Sequence, residues 1–152
     1  MRTLIVCLAL LTLSNAQNVV IKAKHTSFMN AFVVTPGDLN GLETCFGGKL
    51  MAEMDRTAGI ATRRLLYDSS YRRAVTVGVD NVKFVAPAKV DDLLIVTAEV
   101  KSVGTKSIML HVTVKRETVS TLETICEGDY TFVCWDIHSK EAVPHGIIME
   151  SK

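Results

Sequence analysis

One long amphipathic segment, Gly47 to about Leu66, restricts how this chain can fold more than any other feature. Placed at 100° per residue, Leu50, Met54, Ala58, Ala61 and Leu65 fall within one stripe about 80° wide. Glu53, Arg56, Arg63 and Arg64 fall on the other side. The pattern predicts a single helix that opens at Gly47-Gly48 and turns an apolar face toward a sheet.

The flanking sequence reads as strands. Val19 to Val34 is rich in β-branched and aromatic residues and stops at Thr35-Pro36-Gly37-Asp38, a turn signal, which predicts a first strand or pair of strands. Every segment after Tyr67-Asp68-Ser69-Ser70 also looks extended. Val75, Val77 and Val79 alternate, and then Val82 and Phe84 carry the opposite parity, which places a bulge near Asp80-Asn81 before Pro87 ends the strand. Leu94, Val96, Ala98 and Val100 line one face of a strand from Leu93 to Val103. A turn at Val103-Gly104-Thr105 leads into a strand with Ile108, Leu110, Val112 and Val114 on one face. His111 falls on the more polar face, which ranks it low as a catalytic group.

The strand from Ile125 to Ile137 is apolar on both sides, with Tyr130, Phe132 and Cys134 on one and Val133, Trp135 and Ile137 on the other. Such a strand needs cover on both faces, and one helix covers one. A second subunit or a sandwich packing would supply the rest. The expected architecture is α+β, an antiparallel sheet wrapped around one long central helix.

At 152 residues the chain is expected to form one domain over 17–138, with a leader at 1–16 and a C-terminal tail at 139–152. Lys+Arg number 17 against 16 Asp+Glu, a net charge of +1 that argues against a nucleic-acid partner. Met1-Arg2, the apolar run Thr3 to Leu13 and the small residues Ser14 and Ala16 have the layout of a secretory signal. That run is too short for a stable membrane span. Cys7 lies inside it, leaving Cys45, Cys126 and Cys134. Cys126 and Cys134, eight residues apart in one strand, would be about 26 Å apart and cannot pair within it. No Cys or His spacing suggests zinc, so no metal is expected and the thiols are read as buried and free.

The stretch from Pro36 to Ala61 carries the chemistry. Gly47 and Gly48 at a helix N-terminus let another group approach free N–H donors that favour an anion or developing oxyanion. Asp55 lies at the margin of the apolar stripe, between Met51 one turn before and Gly59 one turn after, and Gly59 would leave a notch beside the carboxylate. A carboxylate at the edge of an apolar groove can serve as base or nucleophile. The same residues also fit a plain turn and a surface Asp paired with a neighbouring Arg.

Pro36, Asp38, Asn40, Phe46, Gly47, Gly48, Met51, Met54, Asp55, Ala58 and Gly59 together resemble the hotdog-fold acyl-CoA thioesterases, in the branch of bacterial and brain-type cytosolic acyl-CoA hydrolases. The likeness runs from about Lys22 to Ile137, through Arg63-Arg64, Asp80, Val82-Lys83-Phe84, Pro87 and Val103-Gly104-Thr105-Lys106-Ser107. The resemblance implies hydrolysis of fatty acyl-CoA, with Asp55 as general base or nucleophile. It implies that Asn40 comes from the opposite subunit of a dimer and that amides near Gly47 and Gly48 hold the oxyanion.

Met51 and Gly59 would line the substrate groove. Arg64, Lys83, Thr105, Lys106 and Ser107 are candidate CoA contacts. No cofactor is implied beyond the CoA of the substrate, and the expected assembly is a homo-oligomer, a dimer or a trimer of dimers. The resemblance implies a cytoplasmic protein, against the signal-like N-terminus. Glu43, in a loop where relatives usually carry Gly with a small polar or His/Asn neighbour, motivates an alternative, a non-catalytic protein that binds acyl-CoA or an acyl carrier. A dehydratase is disfavoured, because His25, His111, His138 and His145 all lie outside the helix motif.

Overall fold

The computed structural model describes residues 19–21, 26–66 and 72–149. The leader at 1–16, Cys7, His25 and the turn at Tyr67-Asp68-Ser69-Ser70 lie outside the described residues. Strands β1 (Val19–Ile21) and β2 (Ser27–Val33) are followed by a 3-10 turn, Pro36–Asp38, and by helix α1 (Gly47–Leu65). Four long strands come next: β3 (Arg72–Phe84), β4 (Leu93–Val103), β5 (Ser107–Glu117) and β6 (Leu122–Asp136). Two short strands close the chain, β7 (Glu141–Ala142) and β8 (Ile147–Met149).

The main sheet is antiparallel with the order β2-β4-β5-β6-β3, and β7 adds to the end of β6. Alternation decides which side of each strand meets the helix. Leu94, Val96 and Ala98 of β4, Leu110, Val112 and Val114 of β5, and Tyr130, Phe132 and Cys134 of β6 are all buried. They close on Leu50, Met54, Ala58 and Ala61 of α1. Small residues let the sheet curl tightly around the helix. Gly128 leaves no room for a side chain here, since a Cβ there would lie 3.0 Å from Val82 Cγ2 of β3 and 3.5 Å from Met54 Cε of the helix.

The expected strands and helix are present, and the structure corrects two details. The first is Glu53, which the helical wheel places toward solvent but which is 3% exposed. The sheet wraps beyond the apolar stripe and covers the flank of Glu53 and Thr57. The buried carboxylate is matched by Lys49 Nζ at 3.1 Å and Arg56 Nη1 at 3.3 Å, as a charge removed from water requires. The second is the segment after His138, which packs back onto the fold. β7 pairs with β6, β8 pairs in parallel with β1, and His145 and Ile147 are buried.

The bulge expected near Asp80-Asn81 is there, between Asp80 and Lys83, and a second register shift lies between Thr76 and Gly78. β3 forms one edge of the sheet and exposes Val75, Val77 and Val79 at 40%, 58% and 39%. Cys45, Cys126 and Cys134 are buried free thiols.

Candidate active site

The loop before the helix is built around two side chains. Asp38 Oδ2 accepts hydrogen bonds from the Thr35 amide at 2.9 Å and the Thr35 hydroxyl at 2.6 Å, and Lys49 Nζ lies 3.3 Å from its other oxygen. The Thr35 bonds first, and then Lys49, hold the Asp38 carboxyl below its ordinary value. Asn40 Oδ1 accepts from the amides of Leu42 at 2.8 Å and Thr44 at 3.2 Å, while its Nδ2 donates to Thr44 Oγ1 at 2.9 Å. Asn40 therefore shapes its own loop and keeps one Nδ2 hydrogen unused among the described residues. Glu43 sits at the exposed tip in the left-handed region, with φ 59°.

The loop then docks, with the Cys45 amide bonded to the Ala88 carbonyl at 2.8 Å and the Phe46 amide to the Asp38 carbonyl at 2.8 Å. Phe46 caps the helix and offers no side-chain acceptor. The Gly47 and Gly48 amides consequently meet no protein acceptor among the described residues. These are the unfilled donors that every helix start leaves. Both glycines are needed locally. A Cβ at Gly47 would lie 3.1 Å from the Phe84 ring, and one at Gly48 would lie 2.3 Å from the ring of Phe46. A cavity of about 330 Å³ opens here, lined by Asn40, Cys45, Gly47, Leu50 and the Phe84–Ala88 segment.

Asp55 lies further along α1 and is half-buried. Among the described residues it forms no ion pair with an Arg, and the neighbouring Arg56 pairs with Glu53. Thr76 of β3 donates its hydroxyl to Asp55 Oδ1 at 2.7 Å, and Oδ2 has no partner among the described residues. This fixes the carboxylate and leaves one oxygen open to accept a proton. Tyr130 packs behind it and donates to the Met51 carbonyl at 3.3 Å. Burial, then Cys126 and Asp55, pushes the Tyr130 phenol up to about 12, so it acts only as a neutral donor. Burial also raises the thiols of Cys45, Cys126 and Cys134, which removes a thiolate nucleophile from neutral pH. A Cβ at Gly59 would make ordinary contact with Phe132 at 3.7 Å, so the notch beside Asp55 is shallow.

The remaining candidates are dispersed. Lys83 is 3.6 Å from Glu127, and the Arg64 guanidinium lies 5.3 Å over the Phe28 ring. Thr105 and Lys106 are exposed and Ser107 half-buried, on the turn that closes β4 and β5. β2 meets β4 with Val33 opposite Leu93, so the Asn40 loop leaves from the opposite end of β4 to that turn. Over the 11 residues of β4 this is a separation of roughly 30 Å. His111 is on the polar face as expected, with Nδ1 2.9 Å from Asp129 Oδ1. Among the described residues no group of His, Cys, Asp or Glu is arranged to hold a metal, and no helix is long and apolar enough to cross a membrane.

Thr76 is the partner of Asp55 that sequence reasoning misses. Alternation alone hides it, because valines on either side suggest that Val75 and Val77 face the core, whereas the structure exposes both and turns Thr76 toward the helix.

Comparison with known proteins gives a consistent family. The model of the thioesterase superfamily matches residues 42–123. An uncharacterized acyl-CoA thioester hydrolase of Zymomonas mobilis is 35% identical over 106 residues, covering 68% of each chain. An acyl-CoA hydrolase of Staphylococcus aureus, solved with butyryl-CoA, CoA and CoA disulfide, superposes with a TM-score of 0.75 at 28% identity, over 88% of this chain and 80% of that one. The Staphylococcus enzyme has also been solved as Asp, Asn and Thr mutants to alanine. A hexameric thioesterase of Yersinia pestis matches with a TM-score of 0.68 at 28% identity, over 76% of this chain and 91% of that one.

Proposed function

The chain belongs to the thioesterase superfamily and has the hotdog fold, and on that premise we propose that it hydrolyses acyl-CoA thioesters at a site shared by two copies, with Asp55 as the base. The observation that carries this reading is the Thr76–Asp55 bond, 2.7 Å, at the margin of the apolar helix face. Asp55 takes a proton from water through its open oxygen as the water oxygen attacks the thioester carbon. The carbon–sulfur bond then breaks, CoA leaves as the thiolate and collects a proton, and a free carboxylic acid remains. The amides of Gly47 and Gly48 accommodate the oxyanion, and the spare Nδ2 hydrogen of Asn40 orients the water or the thioester. The route draws on no metal or redox cofactor.

Geometry argues for two copies. Gly47 and Asp55 are eight helical residues apart, about 12 Å at 1.5 Å per residue. Donors and base that far apart on one helix support the arrangement the family resemblance implies, in which each site combines Asp55 of one copy with Asn40, Gly47 and Gly48 of another. The exposed valines of edge strand β3 give such a pair an apolar surface to bury. On this reading the protein is a homo-oligomer, a dimer or a trimer of dimers. With two copies, the roughly 30 Å between the cavity and the Thr105–Ser107 turn within one chain is no obstacle. Met51 and Gly59 flank the acyl group, and Arg64, Lys83, Thr105, Lys106 and Ser107 are the CoA contacts to test.

The decisive experiment measures thiol release from a panel of acyl-CoAs. Asp55→Ala should lower kcat/KM by about 100-fold or more, as expected for loss of a positioned base. Equal rates for wild type and variant would overturn the assignment of Asp55. Tight binding without turnover by the wild type would favour a carrier, the reading to which the exposed Glu43 beside the cavity loop points.

A further inference from the structure

The outer face of the sheet, away from the helix, holds a polar group that the reaction above does not use. Asp129 of β6 has a side chain only 9% exposed. It is held by Lys101 Nζ at 2.8 Å, by Nδ1 of His111 at 2.9 Å and by Asn81 Nδ2 at 3.2 Å. Asn81 is a residue of the β3 bulge and sits in the left-handed region with φ 54°, where a side chain is disfavoured. The bond to Asp129 is its one side-chain hydrogen bond among the described residues.

What the bulge does is visible one residue further on. Asp80 pairs with Asp129 and Lys83 with Glu127, so Asn81 and Val82 together face Gly128. The extra residue presses Val82 onto Gly128 beside Met54 of the helix. Two residues later the Phe84 ring lies against Gly47, and the amides of Val85 and Ala86 both donate to the Ile125 carbonyl. Phe84 to Ala88 is then one wall of the cavity at the helix N-terminus.

We propose that Asp129 is a positioning residue for substrate binding: through Asn81 it holds the β3 bulge, and the bulge sets the Phe84–Ala88 wall against Gly47. This rests on reading the cavity as part of the acyl-CoA site. The wall contacts substrate in the ground state and the transition state alike, so its loss shows in KM, whereas loss of Asp55 shows in kcat.

The test uses the full chain with butyryl-CoA as probe. Asp129→Ala and Asn81→Ala should each raise KM about fivefold with kcat within about twofold of wild type, because an unsupported side chain leaves the left-handed region. Asn81→Gly, which takes that conformation without support, should keep KM within about twofold, and adding Asp129→Ala to it should change KM by less than about twofold. If Asp129→Ala fails to fold, the exposed-position pair Asn81→Ala and Asn81→Gly decides the matter. Equal KM values for those two, or kcat and KM moving together, would overturn the proposal while leaving the hydrolase intact. A wild type that neither binds nor cleaves butyryl-CoA would overturn the functional reading and this inference with it.

Discussion

Replacing Thr76 by Val exchanges one hydroxyl for a methyl and keeps a β-branched residue in β3, so strand propensity and packing volume hardly change. What disappears is the 2.7 Å bond to Asp55 Oδ1. A hydrogen bond to a charged acceptor is worth about 1.5–3 kcal/mol, and half-burial of Asp55 puts this one toward the lower end. If the bond holds the carboxylate in line with water throughout the reaction, its loss should cost about 10- to 30-fold in kcat/KM. Thr76→Ser, which retains the hydroxyl, should stay within about threefold of wild type. Steady-state thiol release from butyryl-CoA reads both, with a melting curve for each variant to show that the fold survives. A Thr76→Val enzyme within twofold of wild type would refute the positioning role. So would a Thr76→Ser enzyme as slow as the valine variant.

Three further outcomes follow from packing and charge. Met54→Ala, at a position with 0% exposure where α1 meets the sheet, should destabilise the protein by about 2–5 kcal/mol in denaturant unfolding. Gly128→Ala puts a methyl 3.0 Å from Val82 Cγ2 and 3.4 Å from Val82 Cα, and should cost about 1–3 kcal/mol in the same assay. Burial alone would raise the Asp129 carboxyl, but the bonds from Lys101, His111 and Asn81 outweigh it and hold it at about 2. A carboxyl near 3.9 in the unfolded chain therefore stabilises the fold above about pH 4, and that contribution is lost as pH falls toward 2. Acid melting curves of Asp129→Asn should be flatter over that interval than those of wild type.

Local rules reach a long way in this chain because its elements are regular. The 3.6-residue period of Leu50, Met54, Ala58 and Ala61 and the alternation of β4 and β5 depend only on neighbouring residues, and both are realised. The parity change between Val79 and Val82 is local too, and it locates one of the two irregularities of β3. The other, between Thr76 and Gly78, leaves no comparable mark, since the valines on either side keep their alternation in sequence while the pairing to β6 slips. Glu53 misleads for a related reason. A helical wheel assumes a flat neighbour, and a sheet that curls around the helix covers residues the wheel assigns to water.

The residue types of the candidate site, Asn40, Gly47, Gly48 and Asp55, are set by the sequence alone, as are the long helix and the strands that surround it. Which groups touch is a matter of tertiary structure. Thr76 reaches Asp55 across 21 residues, Asn81 reaches Asp129 across 48, and β8 returns to β1 from the far end of the chain. Such contacts depend on strand register, and a shift of one residue turns a side chain to the opposite face. The pattern of side chains records which face each residue prefers; only the folded sheet decides which partner it meets there.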